Sequence, residues 1–76
     1  MQLKVVAFAQ AADLLGFRER TIDSAPDETA RSVLARLAPN ADLRMMRVAI
    51  DREYRSWDEP LGAARELALI PPVSGG

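Results

Sequence analysis

Glu66-Leu67-Ala68-Leu69-Ile70-Pro71-Pro72-Val73-Ser74-Gly75-Gly76 closes a chain of 76 residues, and its first half decides the fold. Leu67, Ala68, Leu69 and Ile70 are apolar at successive positions. Successive side chains of a strand point to opposite faces, so a strand over Glu66 to Ile70 is apolar on both. Pro71 and Pro72 end it, because proline cannot donate to a ladder. Residues 3–9 (LKVVAFA) read in the same way. Lys4 marks the wetter face, so Leu3, Val5 and Ala7 point to the core, while Val6 and Phe8 share the face of Lys4. Two strands apolar on both faces belong at the centre of a sheet, so the first and the last are expected to pair.

Between them lies one clear helix. Ala30, Val33, Leu34, Leu37 and Ala38 fall at i, i+3, i+4, i+7 and i+8, one helical face. Thr29 is placed to cap its N-terminus, with Asp27 and Glu28 favourable beside it, and Pro39-Asn40 stop it. Ala11 to Leu15 form one or two turns, closed by Gly16 in a left-handed cap. Arg18 to Ile22 suggest a second strand, with Ile22 inward. Ser24-Ala25-Pro26-Asp27 is turn chemistry. Residues 41–47 read as irregular. Val48 to Ile50 form a short strand, Asp51-Arg52 a turn, and Tyr54 sits on a brief following strand. Trp57-Asp58-Glu59-Pro60-Leu61 is a connecting turn anchored by Trp57 and Leu61. One sheet packed on one helix satisfies this order at this length.

Composition narrows the function. Neither cysteine nor histidine occurs, which removes thiolate nucleophiles, disulfides, the usual general base near neutral pH and the commonest metal ligands. No metal site is expected. The net charge is −1, and nine of the ten basic residues are arginines interleaved with acids, so neither nucleic acid nor an anionic membrane is an expected partner. No apolar run is long enough to span a bilayer. Met1-Gln2-Leu3-Lys4 enters a strand without a signal-peptide layout, which sets the expectation of a cytoplasmic protein. Asp27-Glu28 and Asp58-Glu59 are adjacent acids on turns, and such pairs are ordinarily solvated. Gly16 and Gly62 are isolated and form no phosphate-cradling loop. Core filling is the reading for Met45-Met46.

The chemistry is expected in the last six residues. Pro71-Pro72 favour an extended exit from the body. Six extended residues reach at most about 20–22 Å, enough to enter a partner's active site. Gly75 and Gly76 lack a β-carbon and pass a narrow channel. The terminal carboxylate is inert until activated, for example as an acyl adenylate from ATP. It then accepts sulfur to become a thiocarboxylate, or is joined to an amine. Either route explains covalent chemistry in a chain with no Cys or His.

The arrangement resembles the MoaD-type small subunits of molybdopterin synthase, within the ubiquitin-like β-grasp sulfur carriers. The likeness runs over nearly the whole chain. It is carried by Phe8-Ala9-Gln10 with Leu14-Leu15-Gly16, by Thr29 to Leu37, by Val48-Ala49-Ile50-Asp51, by Trp57 to Leu61, and above all by Ala68 to Gly76. Thiamin-pathway carriers also end in Gly-Gly but usually lack the Pro-Pro step. The stretch Gly62-Ala63-Ala64-Arg65-Glu66 is less acidic than the turn family members often carry there.

The resemblance implies an α+β fold, the ubiquitin-like β-grasp: a mixed sheet packed on one main helix, with a flexible C-terminal Gly-Gly tail. Residues 1–70 would form the β-grasp domain and residues 71–76 the extended tail. It implies that an E1-like enzyme of MoeB type adenylates Gly76 with ATP and that sulfur is installed there as a thiocarboxylate. Pro71, Pro72, Val73, Ser74 and Gly75 would thread into a large subunit of MoaE type. That subunit would supply the catalytic side chains of the sulfurtransferase. There the sulfur passes to cyclic pyranopterin monophosphate, towards molybdopterin. No cofactor is expected on this chain itself, and a heterotetramer of two small and two large subunits is implied. Phe8 and Ile70 fall on the sheet face away from the helix, with Tyr54 joining them. The resemblance places all three at partner contacts. A carrier for thiamin thiazole or tRNA thiolation, and a ubiquitin-like modifier of lysines, remain alternatives.

Overall fold

The alternation read from the two apolar strands predicts which side chains meet, and the computed structural model, which describes residues 1–72, shows that they do. Strands β1 (Gln2–Ala7), β2 (Glu19–Asp23), β3 (Arg47–Ile50), β4 (Glu53–Arg55) and β5 (Glu66–Ile70) form one sheet in the order β2-β1-β5-β3-β4. β1 and β5 are the central neighbours and run parallel, and every other pairing is antiparallel. Helices α1 (Gln10–Leu15) and α2 (Ala30–Leu37) complete the chain.

Leu3, Val5 and Ala7 of β1, Val48 and Ile50 of β3, and Leu67 and Leu69 of β5 point to one face. There they meet Ala30, Val33 and Leu34 of α2 in a single buried cluster. Seven side chains in it, four leucines and three valines, are all but fully buried, each contributing about 1.5–3 kcal/mol by leaving water. The fold is the expected α+β β-grasp.

The helix α2 begins where the sequence places it. Thr29 Oγ1 accepts the Ser32 N–H, and Ser32 Oγ in turn accepts the Thr29 N–H, a reciprocal cap. The helix ends at Leu37, one residue short of the expected Ala38. Ala38 precedes Pro39, whose ring disfavours helical angles at the residue before it, and Ala38 has left the helical region at φ −141° and ψ 69°. Gly16 caps α1 at φ +84°, as expected.

Several boundaries differ from the sequence reading: β1 begins at Gln2, α1 at Gln10 and β3 at Arg47, each one residue earlier than read, and β2 runs to Asp23. β1 stops at Ala7 rather than Ala9, because Ala9 turns to φ +48° to start α1 at Gln10. Phe8 still donates its N–H to the Leu69 carbonyl, so it stays beside β5. β2 begins at Glu19, with Arg18 reduced to accepting one hydrogen bond from Ala7. The two methionines part company: Met46 is 7% exposed and core-filling, while Met45 is 77% exposed.

Candidate functional site

The face of the sheet turned away from α2 holds the residues expected at partner contacts. Register fixes the rows. Val6 of β1 stands beside Ala68 of β5, Ala68 beside Ala49 of β3, and Ala49 beside Tyr54 of β4. One step further along β5, Ile70 stands beside Arg47. Phe8 follows Ala7, the partner of Leu69, and so flanks Ile70. The structure therefore brings Phe8, Ile70 and Tyr54 together around a shallow hollow of about 420 Å³ with a floor of Val6, Ala49 and Ala68. Phe8 is 51% exposed and Tyr54 64%, so two aromatic rings stand proud of a floor of small side chains.

Charge surrounds this apolar centre. Lys4 Nζ lies 3.6 Å from Glu66 Oε1 at one side, and Glu19 and Arg52 line the rim. The Arg47 guanidinium sits 5.8 Å over the Tyr54 ring. Neither the alanine floor nor Arg47 was singled out by sequence reasoning. The signal was present in the parity of β3, where alternation turns Arg47 and Ala49 outward once Val48 and Ile50 turn inward.

The route to the chain end starts at this face. β5 ends at Ile70, and Pro71 and Pro72 continue from it outside regular structure. Val73, Ser74, Gly75 and Gly76, the rest of the expected tail, lie outside the described residues.

Three of the four acids in the two turn pairs are occupied elsewhere. Asp58 accepts a forked pair of bonds from Arg31, at 2.6 and 3.2 Å, and that guanidinium holds its carboxyl below the ordinary value. Glu59 pairs with Arg55, and Glu28 with Arg36. A second hollow of similar volume, between α2 and Trp57, is lined by Leu34, Ala38, Pro39 and Leu43. Its two arginines are already paired, Arg31 with Asp58 and Arg44 with Asp42, and it is built from none of the residues beside Ile70. Trp57 is the anchor expected of it: its indole N–H donates to the Met46 carbonyl, and its ring packs against the core. Among the described residues no helix is long and apolar enough to cross a membrane.

Comparison with known proteins agrees with this architecture. The ThiS family model matches residues 5–76. The molybdopterin synthase sulfur carrier subunit of Caenorhabditis briggsae is 34% identical over 100% of this chain and 99% of its own length. The corresponding subunit of Chlamydomonas reinhardtii is 34% identical over 100% of both chains. Among solved structures, small archaeal modifier protein 1 of H. volcanii superimposes with a TM-score of 0.75 at 26% identity, covering 95% of this chain and 98% of that one. A family model matched from β1 to the last glycine, together with full-length relatives and a shared fold, means that the chain belongs to the ThiS/MoaD family of β-grasp sulfur carriers.

Proposed function

We propose that this chain is the sulfur-carrying small subunit of a molybdopterin synthase. The observation that carries the reading is the end-to-end identity with relatives that bear that name. In the proposed cycle an E1-like enzyme brings ATP to the Gly76 carboxylate. A carboxylate oxygen attacks the α-phosphate, and pyrophosphate leaves. Hydrosulfide-level sulfur then attacks the acyl carbon and AMP leaves, and with loss of the sulfur's proton the product is a C-terminal thiocarboxylate. The body docks on the large subunit through Phe8, Tyr54 and Ile70. Pro71 to Gly75 thread into that subunit's active site, so that the sulfur of Gly76 reaches cyclic pyranopterin monophosphate. The division of labour suits the composition: this chain has no Cys or His, so side-chain catalysis falls to the larger partner.

Intact mass measurement after co-expression with the activating enzyme tests the first half. The chain is expected to gain the mass difference between one sulfur and one oxygen. A chain lacking Gly75-Gly76 is expected to show no gain, yet still to bind the large subunit. An unmodified acid under full sulfur flux overturns the reading. A second reading, a protein modifier, is favoured by the likeness to small archaeal modifier protein 1. Its signature in the same experiment is this chain in isopeptide linkage to lysines of other proteins.

A further inference from the structure

We infer that the sheet face recognises its partner through an acidic side chain that pairs with Arg47. The inference rests on the docking role proposed above for Phe8, Tyr54 and Ile70. Arg47 opens β3 on the outward parity and is the register partner of Ile70, the last strand residue before the tail. It therefore stands between Ile70 and Tyr54, at the point where a partner receiving the tail must close over the sheet.

Of the eight other arginines, four are paired within the chain: Arg31 with Asp58, Arg36 with Glu28, Arg44 with Asp42, and Arg55 with Glu53 and Glu59. Arg18, Arg20 and Arg65 have no carboxylate partner among the described residues, but none of them lines the hollow. Lys4, the cation on the opposite side of the hollow, is paired with Glu66. Arg47 has no carboxylate partner among the described residues, and its guanidinium is held 5.8 Å over the Tyr54 ring instead. A cation–π contact of this kind draws the guanidinium over the ring and occupies none of its N–H groups. Arg52 is also unpaired among the described residues and lines the hollow, but it belongs to the β3–β4 turn, at the end of β3 opposite to Arg47 and Ile70.

Closure of a partner over Phe8, Ile70 and Tyr54 strips water from Arg47. A desolvated cation without a counter-charge opposes binding strongly. A carboxylate meets the forked donor edge in two parallel hydrogen bonds and removes that opposition.

The test is titration calorimetry of the full chain against the large molybdopterin synthase subunit of the same organism, with the melting temperature of each variant measured alongside. Arg47→Met is expected to weaken binding about tenfold and Arg47→Glu about a hundredfold or more, because the second adds repulsion to the loss. Arg47→Lys keeps the charge without the fork and is expected to fall between wild type and Arg47→Met. Raising the salt concentration is expected to weaken the wild type more than Arg47→Met. Equal losses for Met and Glu mean that packing, not charge, is read there, and overturn the inference. Wild-type affinity in both, with Phe8→Ala still impaired, overturns it while sparing the docking face. Wild-type affinity in all of these variants removes the docking face and the inference together.

Discussion

Trp57 donates its indole N–H to the backbone carbonyl of Met46 at 3.1 Å. The bond ties the turn after β4 to the residue that enters β3. It holds Met46 in the core and, one residue later, starts β3 on the parity that sends Arg47 outward and Val48 inward. A cation–π contact adds to it, since the Arg31 guanidinium lies 5.8 Å from the Trp57 ring centre while pairing with Asp58.

Trp57→Phe keeps most of the packing but leaves the Met46 carbonyl without its donor. A cost of about 1–2 kcal/mol is expected. Trp57→Ala also removes packing against the core, for a cost of about 3 kcal/mol in all. Urea unfolding followed by circular dichroism reads both as a lower midpoint at unchanged slope. A Phe variant as stable as the wild type would show that the hydrogen bond contributes nothing.

Asp51 carries a second tie. With Arg52 it forms the two-residue turn between β3 and β4, both residues at positive φ, 50° and 70°. Its Oδ1 accepts the N–H groups of Arg65 at 2.9 Å and Glu66 at 3.0 Å, so the turn clasps the start of β5. Asp51→Ala leaves both donors without this acceptor and loses a residue type that tolerates left-handed angles, and is expected to cost about 2–3 kcal/mol. Asp51→Asn retains an oxygen acceptor and the turn preference, and is expected to cost about 1 kcal/mol or less. Amide hydrogen exchange at Arg65 and Glu66 separates this from a general loss of stability. Both amides are expected to exchange faster in Asp51→Ala than neighbouring β5 amides do.

These two ties mark the border of what the sequence makes legible. Alternation along β1 and β5, the i, i+3, i+4 face of α2, the Thr29 cap and Gly16 are local signals, set by chain geometry within a few residues, and they fix the sheet centre, the core and the outward face. The placement of Phe8 beside Ile70 follows from that parity alone. Asp51 reaching Arg65 and Glu66, or Trp57 reaching Met46, depends on which segments the fold brings together, and no spacing announces it. Met45 and Met46 are identical in type, so only the register of β3, set from Trp57, decides which is buried. Arg47 is one arginine among nine in the sequence, and only its register beside Ile70 and its place over the Tyr54 ring set it apart.

Charge pairing also makes a pH-dependent signature. Asp42 accepts bonds from the Arg44 side chain at 3.0 Å and from the Arg44 N–H at 3.2 Å, and these lower its carboxyl from the ordinary 3.8 to about 2. Asp58 is lowered by Arg31, and Asp23 by the N-terminal ammonium at 2.8 Å. A carboxyl whose folded value lies below its unfolded value contributes stability that is complete above about 3.8 and is lost as pH falls through the folded value. Carboxyl NMR is expected to give a midpoint for Asp42 of about 2, returning towards 3.8 in Arg44→Ala. A midpoint unaffected by that substitution would assign the depression to something other than the Arg44 guanidinium, such as the backbone N–H that the variant keeps.

The hollow on the sheet face invites a test by filling rather than by removal. Ala68 sits mid-strand in β5, outward, between Val6 and Ala49, and its small side chain is what keeps the floor low between Phe8 and Tyr54. Interface centres pack as densely as protein interiors, so a partner that seats there must match the floor. Ala68→Trp points away from the Leu67 and Leu69 side chains that build the core, but Ala68 is only 5% exposed among its sheet-face neighbours, so overpacking is expected to cost about 1–3 kcal/mol, read as a lower melting temperature with the fold retained. It raises the floor by an indole, and affinity for the large subunit is expected to fall about tenfold or more. Sulfur loading of Gly76 by the activating enzyme, measured as intact mass, reports separately whether that enzyme uses the same hollow. Undiminished affinity in a folded Ala68→Trp chain would mean that the partner does not enter the space between Phe8, Tyr54 and Ile70, and the proposed docking geometry would have to be abandoned.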